Sequence, residues 1–215
     1  MKKCLYTGPK LVKKMFPDFI WESKANKILL TFDDGPLPET TPMILSELNR
    51  LKIKAAFFCV GENIERSPSL AREILSEGHI IGNHTFRHEK IWGLGKSKMS
   101  KVIAEFNDFA KEKINYDVKY FRPPHGRFNH FLPPVLKDLQ MENAMWNLLT
   151  FDYRNDLNIV KFAVQKFLVN NSIVALHDSL KSKEIIIDSI KTVYDEALEK
   201  GFQFGEPSEC LKYSF

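Results

Sequence analysis

The 215-residue sequence predicts an α/β fold of one domain, a barrel of parallel strands wrapped by helices, on three observations. Apolar runs of strand length alternate with segments of helical periodicity, the pattern of βα units and a parallel sheet. Polar, chemistry-bearing residues fall just after several of those strands, and a closed sheet gathers such ends over one mouth where an open sheet would spread them along an edge. No Gly-x-Gly-x-x-Gly or Walker pattern follows any strand, which removes the usual nucleotide-binding readings.

Taken in order, residues 1–26 read as a lead-in whose Leu11, Met15, Phe16, Phe19, Ile20 and Trp21 offer an apolar surface for docking on a domain spanning 27–215. Ile28 to Phe32 is the first strand, and Glu39 to Leu51 is a helix with Ile44, Leu48 and Leu51 on one face. Ala55 to Val60 is the second strand; Ser67 opens a helix with Pro68 at its first position, running through Leu70, Ile74 and Leu75. His79 to Gly82 is a short strand, Lys98 to Ile114 an amphipathic helix, and Tyr120-Phe121-Arg122 a strand stopped by Pro123-Pro124. Phe131 to Leu139 is helical past its prolines, Asn143 to Leu149 extended, and Val160 to Val169 helical again. Ser172 to Leu176 is an apolar strand, Ile185 to Lys200 the last long helix, and Phe202 to Phe204 closes the set.

Hydrophobic content of 44% and charged content of 27% are those of a globular domain with a full core. The net charge of +4 is too small, and too evenly spread, to argue for nucleic acid. Cys4, Cys59 and Cys210 are far apart with no Cys-x-x-Cys pair, so reduced thiols are expected rather than a disulfide framework or a thiolate zinc site. The apolar stretch after Lys2 and Lys3 is broken by Gly8, Pro9 and Lys10, too soon for a signal peptide, and no run of roughly eighteen apolar residues spans a membrane. The expected compartment is therefore the cytoplasm by default, with cell envelope or periplasm left open, and the expected state a monomer.

Thr31-Phe32-Asp33-Asp34-Gly35-Pro36 carries two adjacent carboxylates off the end of the first strand, where packing alone satisfies neither. Gly35-Pro36 breaks the strand, so both acids sit at a junction from which barrels present catalytic groups; alone, the stretch also reads as an Asp/Gly-rich turn. His84-Thr85-Phe86-Arg87-His88 spaces two imidazoles four apart, on one face if this turn is helical, as metal ligands or as a surface pair. Arg122-Pro123-Pro124-His125-Gly126-Arg127 is a stiff turn whose His125 and Gly126 N–H groups are candidates for facing an oxyanion, the alternative being a rigid loop with a surface Arg. Leu176-His177-Asp178 ends a strand with a titratable group, a proton donor if it shares the mouth with the imidazole pair and a core His otherwise. Trp146 to Tyr153 adds an aromatic wall, or core, and one carboxylate, Asp152.

In this order the stretches resemble the NodB-homology polysaccharide deacetylases, a carbohydrate esterase family that includes chitin and peptidoglycan N-acetylglucosamine deacetylases. The likeness runs from Lys27 to Phe204. It implies a distorted (β/α) barrel of about seven parallel strands. It further implies one divalent metal on Asp34, His84 and His88, commonly zinc, with cobalt, manganese or nickel as alternatives. Asp33 would be the general base, paired with Arg122, and His177 the general acid, kept protonated by Asp152 behind it. Metal-activated water would attack the acetamide of an N-acetylated glycan, the backbone of His125 would meet the oxyanion, and Pro124, Gly126, Tyr153 and Leu176 would line the substrate. Three positions depart from the family pattern: His125 where Tyr is common, Tyr153 where Trp is frequent, and Leu149 where some members carry a second acid. An amidase or imidase acting on a small nitrogen compound, and an inactive carbohydrate-binding module, are the competing readings; the second needs neither a base nor an acid. A phosphoesterase would call for a further cluster of metal ligands, which the sequence does not display.

Overall fold

The computed structural model describes residues 6–212; Cys4 and the Lys2-Lys3 start of the chain lie outside them. Short helix α1 (Lys10–Met15) precedes β1 (Leu29–Asp34), α2 (Thr41–Leu51), β2 (Ala56–Cys59), α3 (Gly61–Arg66), α4 (Pro68–Ser76) and β3 (Ile80–Asn83). There follow α5 (Lys96–Ile114), β4 (Tyr120–Phe121), α6 (Leu132–Asp138), β5 (Glu142–Asn143), β6 (Leu148–Leu149), α7 (Leu157–Phe167), β7 (Ile173–His177), α8 (Ile186–Glu199) and α9 (Pro207–Cys210). Every strand pairs parallel, in the order β5-β4-β3-β2-β1-β7-β6, a curled seven-stranded sheet and a single α/β domain consistent with a distorted barrel.

Alternation along the strands sorts the side chains into two layers. Leu30, Phe32, Phe57, Ile81, Val174 and Leu176 face the helices, where they pack with Ile44 and Leu48 of α2 and Ile190 and Val193 of α8. Leu29, Ala56, Phe58, Tyr120 and Ile173 face inward. Each fully buried Leu, Ile or Phe contributes about 1.5–3 kcal/mol, so the amphipathic stripes of α2 and α8 are held by their apolar faces. Among the described residues no helix is long and apolar enough to cross a membrane.

Two expectations change. Asn143 to Leu149 is not one extended run but β5 and β6, which lie at opposite edges of the sheet with a break between them. Phe202 to Phe204 adds no strand to the sheet: it makes one parallel bridge, Phe204 with Ile28, at the N-terminal end of β1. The lead-in chain instead covers the two sheet edges. Ile20 donates to Asn143 O (2.9 Å) and accepts from Met145 N–H (2.8 Å) beside β5, while Tyr6 O accepts from Leu149 N–H (2.7 Å) on β6.

Candidate active site

Register brings the first two candidates together. Asp33 on β1 lies opposite His177 on β7, and strand alternation puts Thr31 and Asp33 on the same inner face. Arg122, one residue past β4, reaches both: its Nη1 donates to Thr31 Oγ1 and to Asp33 Oδ1, each at 2.7 Å. Its Nε donates to Ala144 O (2.8 Å) and its Nη2 to Met145 O (2.9 Å), carbonyls freed by the break after β5. The guanidinium also stacks on Phe58, 3.9 Å from the ring centroid. Burial opposes the Asp33 charge, but the cations around it, Arg122 first, outweigh burial and hold its pKa below the ordinary carboxylate value. Asp33 is thus a buried, ionised acceptor with one oxygen pinned.

Asp34, His84 and His88 converge, their ligating atoms all within 4.8 Å of one another. Asp34 Oδ1 stands 3.6 Å from His84 Nε2 and 3.3 Å from His88 Nε2. The segment is not the helical turn expected: Thr85 (φ 66°) and His88 (φ 54°) are left-handed, and irregular backbone swings the two rings onto a common point. His84 Nδ1 lies 2.8 Å from Arg122 O, so Nδ1 carries the proton and the Nε2 lone pair faces Asp34. Burial lowers the His84 pKa to about 4, which keeps that nitrogen neutral. One carboxylate oxygen and two imidazole nitrogens with open positions are the donor set of a catalytic divalent-metal site, and these residues fit one.

His177 hydrogen-bonds through Nδ1 to Asp152 Oδ1 (2.7 Å), and its backbone N–H donates to Asp152 Oδ2 (2.7 Å). Thr150 Oγ1 donates to the same carboxylate at 3.0 Å. Burial works against an imidazolium here, yet the Asp152 carboxylate overrides it and raises the His177 pKa to about 9. Tyr153 packs edge-on against the ring at 4.7 Å.

These groups open on a cavity of about 250 Å³ lined by Asp33, Asp34, His84, His88, His125, Gly126, Tyr153 and His177. Arg122 and Asp152 are fully buried behind it. Leu176 does not reach it: period-two alternation turns that side chain to the helix layer, opposite His177. Pro124 is buried and sets the turn without lining the cavity. Gly126 has φ 65°, and a Cβ there would stand 2.3 Å from the Trp146 ring, so glycine is required. Its N–H is already given to Pro123 O (2.9 Å), which leaves the amide of His125 as the donor this turn offers.

Sequence reasoning missed Lys181 on the cavity wall, since it lies in a loop with no motif spacing. It also missed the brace behind the mouth. Asp178 accepts from the Thr40 and Thr41 hydroxyls at the start of α2, its N–H donates to Asp33 O (2.8 Å), and burial raises its pKa to about 6. A Cβ on Gly35 would collide with this carboxylate at 2.0 Å.

A sequence profile described as polysaccharide deacetylase matches residues 22–144. The chain is 31% identical over 199 residues to a Bacillus cereus protein named peptidoglycan-N-acetylglucosamine deacetylase, covering 90% of this chain and 92% of that one. Among solved structures, a peptidoglycan N-acetylglucosamine deacetylase superposes with a TM-score of 0.83 at 26% identity, over 90% of this chain and 93% of that one. A variant of a Bacillus anthracis CE4 family pseudoenzyme with restored enzymatic activity superposes with a TM-score of 0.78 at 26% identity, over 90% and 71% of the two chains. With the ordered motifs, the parallel curled sheet and the Asp-His-His cluster at its mouth, these matches establish that the chain belongs to the polysaccharide deacetylase family.

Proposed function

We propose that this chain removes N-acetyl groups from an N-acetylglucosamine-containing glycan of the peptidoglycan or chitin type, releasing acetate, with Asp33 as general base and His177 as general acid. The observation that carries the reading is the pairing of Asp33 with His177 across adjacent strands, beside the Asp34–His84–His88 cluster and on one cavity. A divalent ion on those three residues, zinc by preference, would polarise the amide carbonyl and acidify water. Asp33, ionised and aimed by Arg122, takes a proton from the attacking water. The His125 N–H faces the developing oxyanion, a donor worth roughly 3 kcal/mol in comparable sites. His177, protonated at neutral pH, donates to the departing amine, without which an amide nitrogen is a very poor leaving group.

The test is acetate release from N-acetylglucosamine oligomers and from peptidoglycan, with and without chelator. Asp33→Asn and His177→Ala are each expected to lower the rate by about 10²–10⁴-fold. Undiminished acetate in both variants removes the assignment of roles. The competing reading, a carbohydrate-binding protein without activity, predicts no acetate from metal-loaded wild type on either glycan.

A further inference from the structure

We propose that a cavity beside the reaction site is a subsite for the neighbouring sugar of the same glycan strand, and that residues 7–12 of the lead-in are its outer wall. This rests on the glycan reading above. The reaction cavity, about 250 Å³, falls below the ~300–1,000 Å³ usual for ligand pockets, so a polymer entering it needs adjoining space. A second cavity of about 420 Å³ supplies that space, for His125, Gly126, Trp146 and Leu149 line both. Its lining also includes Thr7, Gly8, Pro9 and Val12 of the lead-in and Arg127 and Phe128 after the turn.

The wall is a strap tied at both ends. Tyr6 packs its ring at 5.0 Å from Phe151 and 5.3 Å from Phe167, and its carbonyl takes the Leu149 N–H. At the far end Phe16 and Phe19 pack on Phe128 at 4.9 and 5.1 Å, and Trp21 Nε1 donates to Phe16 O (2.9 Å). Residues 7–12 are therefore held along the cavity between these two anchors. Partly exposed Trp146 and Phe128 give the aromatic surface on which the apolar faces of a sugar ring pack. Arg127 is exposed and, among the described residues, makes no ion pair, so its fork of donors is free for sugar oxygens.

The experiment compares kcat/KM on the dimer and the pentamer of N-acetylglucosamine for wild type, Arg127→Ala and Val12→Trp, with calorimetric binding of the pentamer to each protein. Wild type is expected to favour the pentamer by about tenfold, and each variant to cut that ratio by about fivefold or more, through KM rather than kcat. Pentamer binding is expected to weaken by a similar factor in both variants. Thermal unfolding checks that each remains folded, and Arg127→Ala alters only an exposed side chain. Equal use of dimer and pentamer by wild type, or a ratio and a binding constant untouched in a folded Arg127→Ala and Val12→Trp, overturns the subsite while leaving the hydrolytic reading intact. Absence of acetate from every glycan overturns the hydrolytic reading, and binding that the two variants weaken then still supports the subsite.

Discussion

A guanidinium with no exposed surface is stable only when its donors are matched, and Arg122 meets two carbonyls, a hydroxyl and a carboxylate. Lysine cannot reproduce that fork, so Arg122→Lys leaves Asp33 and the Ala144 and Met145 carbonyls short of donors. The expected loss is roughly 3–5 kcal/mol in urea unfolding; a loss of less than about 1 kcal/mol would show that the cradle is replaceable. Asp152 is testable through pH. As the proposed general acid, His177 must carry its proton at turnover, so the alkaline limb of kcat/KM in the wild type is expected near its value of about 9. Asp152→Asn removes the charge that raises that value. The limb is then expected to move down toward the ordinary imidazole range near 6.5, and a limb that stays in place would mean another group holds the proton.

The segment between β3 and α5 explains why spacing was informative for the wrong reason. Four-residue spacing suggested two imidazoles on one helical face, yet the chain here makes an irregular loop held by its neighbours. Thr85 N–H donates to Asn83 Oδ1 (2.7 Å) and Thr85 Oγ1 accepts from Glu89 N–H (2.8 Å). The loop carbonyls of Thr85 and Phe86 accept from Gly61 N–H (3.1 Å) and Glu62 N–H (2.9 Å), satisfying the first orphan donors of α3. That helix was not legible in the sequence, because its start is capped by a segment more than twenty residues away. The candidate ligands Asp34, His84 and His88 were legible; their convergence depends on these long-range bonds. Alanine at Asp34 or His84 is accordingly expected to lower bound metal, measured by equilibrium dialysis, by about tenfold or more, as losing a direct ligand outweighs the 10–100-fold of an outer partner. Metal retained in full by both variants would place the ion elsewhere.

At the scale of the whole molecule, acid stability is tied to a residue remote from the mouth. His79 is buried at the start of the β3 segment, where its Nδ1 accepts from Ala55 N–H (3.0 Å); among the described residues its Nε2 has no hydrogen-bond partner, the Glu77 carboxylate standing 3.9 Å away. Burial holds its pKa at about 4. The unfolded chain takes up this proton as pH drops below about 6.5 while the native state refuses it until about 4, so the contribution is whole above 6.5 and lost on the way down. At about 1.4 kcal/mol per unit, the loss is at most roughly 3.5 kcal/mol. His79→Asn is expected to flatten the fall of unfolding free energy between those pH values; an unchanged slope would assign the acid sensitivity to other groups. Alternating apolar runs and ordered motifs were enough to determine the fold class, the family likeness and most of the side chains that line the candidate site, since these follow from local periodicity and residue type. Tertiary structure alone decided that Leu176 faces the helices, that β5 and β6 part to opposite edges, that the lead-in straps a second cavity, and that Lys181 reaches the site. Each of those depends on sheet register and on contacts between residues far apart in the chain, which no local pattern encodes.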